Sequence, residues 1–150
     1  MNSAGKKISK TILSRTDHLL EVREFVSEAA RQCGFGDEEV ANIVLSVDEA
    51  CTNIIKHAYQ FAPDQKIQID VLRGKDSFEV RITDSGKPFD PEIIRPPDLK
   101  QHLGHYRRGG LGVYLMRRLM DKVEYSFKPG KKNEVRLVKF LSGTPSEVRR

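Results

Sequence analysis

Ser46-Val-Asp-Glu-Ala-Cys-Thr-Asn-Ile-Ile-Lys-His-Ala-Tyr59 combines the apolar spacing of a packed helix with two polar residues, Glu49 and Asn53, on one side of that helix. The apolar spacing begins earlier, after Asp37, and at about 100° per residue it forms one stripe about 120° wide. The stripe consists of Val40, Ile43, Val44, Val47, Cys51, Ile54, Ile55 and Ala58. The pattern predicts one helix that Asp37 caps and that ends near Tyr59.

Glu49 and Asn53 are four residues apart, so they share a face of that helix. The helical wheel puts this face opposite the apolar stripe, and the small side chain of Ala50 beside it leaves room for a ligand. Helices often carry such a pair on a face that is simply solvated. For the pair taken alone, both interpretations stay open.

The rest of the chain alternates between helical and strand spacing, and a short Gly74-Lys75-Asp76 turn indicates a hairpin. In chain order we predict a strand at Lys6–Ser14, a helix at His18–Cys33 capped by Asp17, strands around Ile67–Val71 and Phe78–Ile82, a helix from Gly110 or Leu111 to Met120, and strands at Val123–Lys128 and Glu134–Leu141. This order predicts an α/β fold, a two-layer α/β sandwich whose mixed, mostly antiparallel sheet has helices on one face. Residues 1–150 are predicted to form one domain with its core at about residues 8–141.

The charge balance is basic, with 26 lysines and arginines against 21 aspartates and glutamates and a net charge of +5. Such a balance suits acidic partners, including nucleotide phosphates. The basic residues are scattered and tryptophan is absent from the sequence, so direct nucleic-acid binding is not predicted. No apolar run approaches the ~20 residues of a membrane span and no apolar segment follows the N-terminus, so we predict a cytoplasmic protein without a membrane segment. Cys33 and Cys51 lack the spacing of a metal site and are interpreted as small buried hydrophobic residues.

Two further segments carry candidate chemistry. Asp84-Ser-Gly86 follows a predicted strand, where a carboxylate can accept a hydrogen bond from a base and a glycine lets the backbone pass close to it. Arg108-Gly109-Gly110-Leu111-Gly112 opens a predicted helix, where backbone N–H groups and the helix dipole favour an anion. A plain turn and a flexible hinge are the alternatives for the two segments.

Taken in order, these segments resemble the GHKL ATP-binding pattern, and within it the bacterial anti-sigma-factor serine/threonine kinases. Residues 46–59 resemble that family's Glu-Ala-x-Thr-Asn-x-x-x-His-Ala-Tyr segment. Asp84-Ser-Gly-Lys-Pro-Phe-Asp-Pro91, Gly109-Gly-Leu-Gly-Val-Tyr-Leu-Met-Arg-Arg-Leu-Met-Asp121 and Asn133-Glu-Val-Arg-Leu-Val-Lys139 are similar to the next three. The resemblance covers residues 14–141 and implies the Bergerat-type ATP-binding fold.

The resemblance also implies roles for single residues. Glu49 would be the general base that accepts the proton of the attacking serine hydroxyl, and Asn53 would hold the Mg²⁺ that bridges the phosphates. Asp84 would bind the adenine amino group, with Gly86 beside the ring. The ATP phosphates would lie at the glycine-rich helix start, whose residues are Arg108, Gly109, Gly110, Leu111 and Gly112.

Three parts of the chain are less defined by the resemblance. Many members carry a Gly-Thr pair where this chain has Lys132-Asn133, so Asn133 would have to replace the hydroxyl contact to adenine through its amide. The lid, residues 95–108, is variable, and within it Arg107 and Arg108 are candidates for the γ-phosphate. His57 matches a family position and is interpreted as a structural histidine.

The function that the resemblance implies is an anti-sigma factor that binds a sigma factor and phosphorylates an anti-anti-sigma protein on serine, using ATP and Mg²⁺, as a homodimer. One alternative is a nucleotide-binding module that sequesters a partner with little kinase activity. The retention of Glu49 argues against it, because a binding module needs no base. A detached histidine-kinase catalytic domain is a third alternative, disfavoured because the chain has no room for an upstream dimerisation helix.

Overall fold

The computed structural model describes residues 6–89, 108–127 and 132–141, with residues 108–113 described by their backbone alone. Five strands form one sheet in the order β1-β2-β3-β5-β4, and the four described pairings are all antiparallel. The predicted order of helices and strands is confirmed. The strands are β1 (Lys6–Leu13), β2 (Lys66–Arg73), β3 (Ser77–Asp84), β4 (Lys122–Phe127) and β5 (Asn133–Phe140), and the helices are α1 (Leu19–Gln32), α2 (Asp37–Asn53) and α3 (Arg108–Leu119).

One face of the sheet carries the hydrophobic core. Side chains on a strand alternate between the two faces, and one set of alternating positions on β2, β3 and β5 is buried together with the apolar faces of the helices. Each large aliphatic or aromatic side chain buried there contributes about 1.5–3 kcal/mol. The strand members are Ile67, Ile69, Val71, Phe78, Val80, Ile82, Val135 and Leu137.

The opposite face of the sheet is polar. On it, Glu79 accepts hydrogen bonds from Arg81 at 2.8 Å and from Arg136 at 3.0 Å, and Arg136 also pairs with Glu124. Because the helices pack on one face and ion pairs cover the other, the molecule is a two-layer sandwich.

The helix starts differ from the predictions. Asp17 does not cap α1, because it lies in a 3₁₀ turn and its carboxylate is bound by Arg15 at 2.8 Å. Asp37 is the first residue of α2, and Gly36 is its N-cap without a side-chain hydrogen bond. The acidic first turn still interacts favourably with the helix dipole. The helix α3 starts at Arg108, earlier than predicted.

The helix that contains Glu49 and Asn53 ends in a wider turn. Its α-helical part stops at Asn53, and residues Ile54–Ala58 form a π-helical turn closed by a 2.9 Å hydrogen bond from the Tyr59 N–H to the Ile54 carbonyl. Such turns are rare and occur frequently at functional sites. The predicted end near Tyr59 is confirmed, whereas the change of helix type was not predicted.

Candidate active site

Glu49 and Asn53 lie on α2 and are buried, with only 6% and 1% of their surface exposed. Of the two interpretations that the sequence left open, a simply solvated polar face does not agree with this burial. The helix α2 contacts α1, the sheet and α3, so little of its circumference is left to water. The Nδ2 atom of Asn53 makes no hydrogen bond within the described residues. Because an unpaired buried amide is costly, such a group in a native protein commonly faces a ligand, a water or an ion.

Asp84 is the last residue of β3 and faces the core side of the sheet. The sheet register places it between Ile67 of β2 and Asn133 of β5, and it is 4% exposed. Its Oδ1 accepts hydrogen bonds from the Gly86 N–H at 2.8 Å and from Asn133 Nδ2 at 2.9 Å. Burial raises the pKa of this carboxyl, and the two hydrogen bonds oppose the rise. Since both described bonds fall on Oδ1, Oδ2 is the oxygen left to receive a ligand donor.

Asn133 holds Asp84 in place. Besides its bond to Asp84, its Nδ2 donates to the Gly86 carbonyl at 2.9 Å, so both amide hydrogens are used inside the protein. Its Oδ1 is buried and makes no hydrogen bond within the described residues. The structure thus brings Asn133 to the predicted site, with an acceptor rather than a donor free for a ligand.

Gly86 is required by packing against the end of α2. A Cβ atom at this position would lie 2.6 Å from the Ala58 carbonyl oxygen and 2.8 Å from the Tyr59 ring. The adjacent Lys87 N–H donates to the same Ala58 carbonyl at 2.8 Å. The neighbour here is the chain itself, and the predicted approach of the Gly86 backbone to a bound base stays a prediction.

A cleft opens between the end of α2 and the edge of the sheet formed by β5 and β4. Ala50 and Ile54, each directly following Glu49 or Asn53 in sequence, form its helical wall. Asp84 and Asn133 lie in the same cleft. The small side chain of Ala50 therefore lines the cleft, and the room for a ligand beside it stays a prediction. The remaining lining residues are Phe89, Tyr125, Phe127, Glu134 and Val135.

Aromatic rings that the sequence analysis did not identify crowd one end of this cleft. The Phe89 ring lies 5.5 Å from the His57 ring and 5.7 Å from the Phe127 ring, measured between centroids. Tyr125 and Phe127, two residues apart on β4, stack on each other at 5.7 Å. Their alternation on one strand was visible in the sequence, but nothing there indicated which wall β4 would form. Such rings provide a flat apolar surface of the kind on which a base packs.

His57 packs on Phe89 of the cleft wall, and its Nε2 is buried without a hydrogen bond within the described residues. Burial and the neighbouring Lys56 lower its pKa, so the neutral ring that packs on Phe89 is favoured at neutral pH. This position supports the interpretation of His57 as a structural histidine.

The glycine-rich segment Arg108–Gly112 forms the first turn of α3, and α3 packs against α2. Its backbone N–H groups therefore belong to a helix N-terminus, the arrangement that the predicted phosphate site requires. The side chains of Arg108 and Leu111 lie outside the described residues, as do Arg107 and the rest of the predicted lid.

Of the two cysteines, Cys51 is buried as predicted, whereas Cys33 is only partly buried. Cys51 is fully buried, and burial raises the pKa of its thiol to about 12, so it stays protonated.

Among the described helices, none combines the length and apolar character of a membrane span.

The sequence pattern of the histidine kinase-like ATPase domain family matches residues 12–139, and the chain belongs to this family. ATP is the nucleotide of such domains. The serine-protein kinase RsbW of Listeria monocytogenes serovar 1/2a is 33% identical over 134 residues, which cover 87% of this chain and 85% of the relative. RsbW of Bacillus pumilus is 31% identical over 148 residues, which cover 95% and 90%. The chain thus belongs to the family of the RsbW serine-protein kinases.

Solved structures share the fold at lower identity. A chain of the SiaB–SiaC complex from Pseudomonas aeruginosa matches with a TM-score of 0.65 at 12% identity, covering 87% of this chain and 88% of that one. The RsbU and RsbW domains of a Mycobacterium tuberculosis protein match with a TM-score of 0.63 at 17% identity, covering 90% of this chain and 32% of that one. The predicted GHKL-type fold is confirmed.

Proposed function

We propose that this kinase transfers the γ-phosphoryl group of Mg²⁺-bound ATP to a serine of an anti-anti-sigma protein, and that it also binds a sigma factor as an anti-sigma factor in the cytoplasm. The observation that carries the catalytic part is a set of buried polar groups at one cleft: Asp84 and Asn133 line it, and Asn53 directly precedes its lining residue Ile54. Asn53 Nδ2 and Asn133 Oδ1 are buried without a hydrogen bond in the described chain, and Asp84 leaves Oδ2 to a ligand. Buried groups of this kind fit a polar ligand that supplies the missing partners.

The end of the proposed site that would hold the adenine ring is formed by Asp84, Asn133 and Gly86. A carboxylate oxygen suits the adenine amino group, which is a donor, and the apolar and aromatic lining suits the ring. Asn133 and Gly86 fix the Asp84 carboxyl through Oδ1, so its second oxygen needs no reorientation to receive the base.

The phosphate end is formed by α2 and the start of α3. Mg²⁺ favours oxygen ligands and keeps several waters and phosphate oxygens, so Oδ1 is the Asn53 atom that would hold it, and Nδ2, unpaired within the described residues, needs a separate acceptor. When bound, Mg²⁺ neutralises phosphate charge. The first turn of α3, Arg108–Gly112, directs backbone N–H groups to the phosphates. Glu49, one helical turn before Asn53, accepts the proton of the attacking serine hydroxyl.

The partners are proposed from the relatives. The matched RsbW proteins are named serine-protein kinases, and the matched Pseudomonas chain shares this fold and comes from a structure of the SiaB–SiaC complex. We extend this to a sigma factor and an anti-anti-sigma protein as the two partners, and to a homodimer of the chain. Residues 1–150 then act as one domain with its core at about residues 8–141.

The test has two stages. Calorimetric titration with ATP, with Mg²⁺ and with EDTA, is expected to show binding that Mg²⁺ strengthens and that Asp84→Asn strongly weakens while circular dichroism stays unchanged. The protein is then incubated with γ-³²P-labelled ATP and each anti-anti-sigma protein of its source organism, and label is expected on one serine. Label that persists when that serine is replaced by alanine contradicts the assignment. Nucleotide binding without any transfer favours a partner-sequestering module instead.

A further inference from the structure

Tyr59 connects the end of α2 to the strand ends that carry the base site. Its ring is buried, and its hydroxyl makes two hydrogen bonds to backbone groups. It donates to the Lys66 carbonyl at 2.6 Å and accepts from the Ser85 N–H at 2.7 Å. Lys66 begins β2 and Ser85 follows β3, so one side chain holds the adjacent ends of both strands.

The segment directly after Asp84 is held by two consecutive residues of the helix end. Ser85 bonds to the Tyr59 hydroxyl, Lys87 bonds to the Ala58 carbonyl at 2.8 Å, and Gly86 packs between them too closely for a side chain. The Gly86 N–H in turn donates to Asp84 Oδ1. The orientation of the carboxyl therefore depends on a backbone segment whose position Tyr59 and Ala58 fix.

Tyr59 also follows the π-helical turn that begins directly after Asn53. The turn is closed by the Tyr59 N–H, which donates to the Ile54 carbonyl at 2.9 Å. The same residue thus ends the helix that carries Glu49 and Asn53 and anchors the loop that follows Asp84. This placement suits a residue that holds the Asp84 carboxyl in position relative to α2.

We propose that Tyr59 is a positioning residue for nucleotide recognition, acting through Asp84 and not by contact with the nucleotide. The inference rests on the proposed role of Asp84 as acceptor for the adenine amino group. If Tyr59 served only the fold, its loss would weaken every nucleotide equally. If it positions Asp84, its loss weakens ATP selectively, because inosine triphosphate carries no 6-amino group for Asp84 to bind.

The experiment compares wild type and Tyr59→Phe, which removes the hydroxyl and keeps the ring. For Tyr59→Phe we expect ATP affinity to fall about tenfold, the worth of one well-placed hydrogen bond to a charged group, while affinity for inosine triphosphate stays within about twofold. In steady-state phosphotransfer the KM for ATP should rise with kcat within about twofold. Tyr114→Phe, on the described part of α3, is the matched control and should leave both affinities unchanged.

A double-mutant cycle with Asp84→Asn shows whether Tyr59 acts through the carboxyl. In the Asp84→Asn background, Tyr59→Phe should cause less than about a twofold further loss of ATP affinity. An equal loss in both backgrounds, or equal losses of ATP and inosine triphosphate, overturns the proposal. If Asp84→Asn itself leaves ATP affinity unchanged, the role of Asp84 and this inference fall together. A loss in Asp84→Asn with none in Tyr59→Phe overturns this inference alone.

Folding is checked by circular dichroism and urea unfolding without nucleotide. Should Tyr59→Phe fail to fold, Ser85→Pro removes the same hydrogen bond from its donor side, since proline has no N–H and Asp84 before it is already extended. The same selective loss of ATP over inosine triphosphate is expected for Ser85→Pro. If Ser85→Pro loses affinity for ATP and for inosine triphosphate equally, the proposal is overturned.

Discussion

The carboxyl of Asp84 is buried, and its burial sets the pH dependence of the site. Desolvation raises its pKa above the ordinary value for aspartate, since it opposes the charged form more than the bonds from Asn133 and Gly86 support it. The acid is therefore held ionised at a cost that the fold has to offset. A buried carboxyl with a shifted pKa that lines a cleft is typical of a functional site.

We expect ATP affinity to fall as the pH drops through this raised pKa, at a higher pH than an ordinary aspartate would titrate. Stability should move in the opposite direction. Because the folded-state pKa of Asp84 is raised, its contribution to stability is present at low pH and is lost as the pH rises through that pKa. Titrations of ATP binding and urea unfolding across pH, with Asp84→Asn as control, measure both. Identical pH profiles in the two proteins would contradict the role of Asp84.

Glu49 gives a second prediction at the residue scale. It is buried on α2 one turn from Asn53, where a carboxylate next to the transferred phosphoryl group can take a proton. Glu49→Gln should lower the phosphotransfer rate about 10²–10⁴-fold, the usual contribution of a general base, while ATP affinity changes little. Single-turnover transfer of labelled phosphate measures the rate, and calorimetry measures the affinity. A rate within twofold of wild type would remove Glu49 from the mechanism.

The sequence predicted which helix and strands carry the site residues, but it did not predict their burial or their contacts. Spacing along α2 put Glu49 and Asn53 on one face, because the helical period is fixed by local geometry. Their burial depends on how α3 and the sheet pack around α2, which no local pattern encodes. Similarly, Asn133 was identified by its place in a resembling segment. Its hydrogen bond to Asp84 follows from the β3–β5 register, a long-range property.

At the scale of elements, the junction between α2 and the β3 loop is the part of the site most sensitive to volume. Gly86→Ala places a Cβ 2.6 Å from a backbone oxygen of Ala58, and neither backbone can move without breaking the Lys87 hydrogen bond. We expect a loss of stability of about 1–3 kcal/mol together with weaker ATP binding. Urea unfolding and calorimetry measure the two effects.

Ser85→Ala is the matched control for this substitution. It lies in the same loop with an exposed side chain and adds no atoms, so its stability should stay within about 0.5 kcal/mol of wild type. A Gly86→Ala protein as stable as Ser85→Ala would show that the loop can move away from α2.

At some boundaries of helices, contacts between distant residues override the local sequence signals. The strands were predicted to within one or two residues, because alternation and the Gly74 turn are strong local signals. The π-helical turn after Asn53 was not predicted, since its apolar residues continue the same stripe and only the packing of Tyr59 against β2 and β3 requires a wider turn. The caps were wrong because Arg15 binds Asp17 and Gly36 occupies the position expected of Asp37.

At the scale of the whole molecule, the proposed nucleotide binding and the folding of the chain are linked equilibria. The cleft lies between α2 and the sheet, so a ligand there contacts both layers of the sandwich and binds only the folded chain. Such a ligand adds about 2.7 kcal/mol of stability at a concentration 100 times its Kd. Without ligand, the buried amide of Asn53 lowers the stability of the folded chain, because its Nδ2 lacks a hydrogen bond in the described chain.

Asn53→Ala should therefore separate stability from function. Without nucleotide the variant is expected to be as stable as wild type or more stable, since an unpaired buried polar group is removed. With Mg²⁺ and saturating ATP, wild type should gain more stability than the variant, and in EDTA the two gains should be equal. Thermal unfolding in the four conditions measures this. A loss of more than about 1 kcal/mol without nucleotide would show that the Asn53 amide already has a partner within the protein, and equal gains with Mg²⁺ would show that it does not hold the metal.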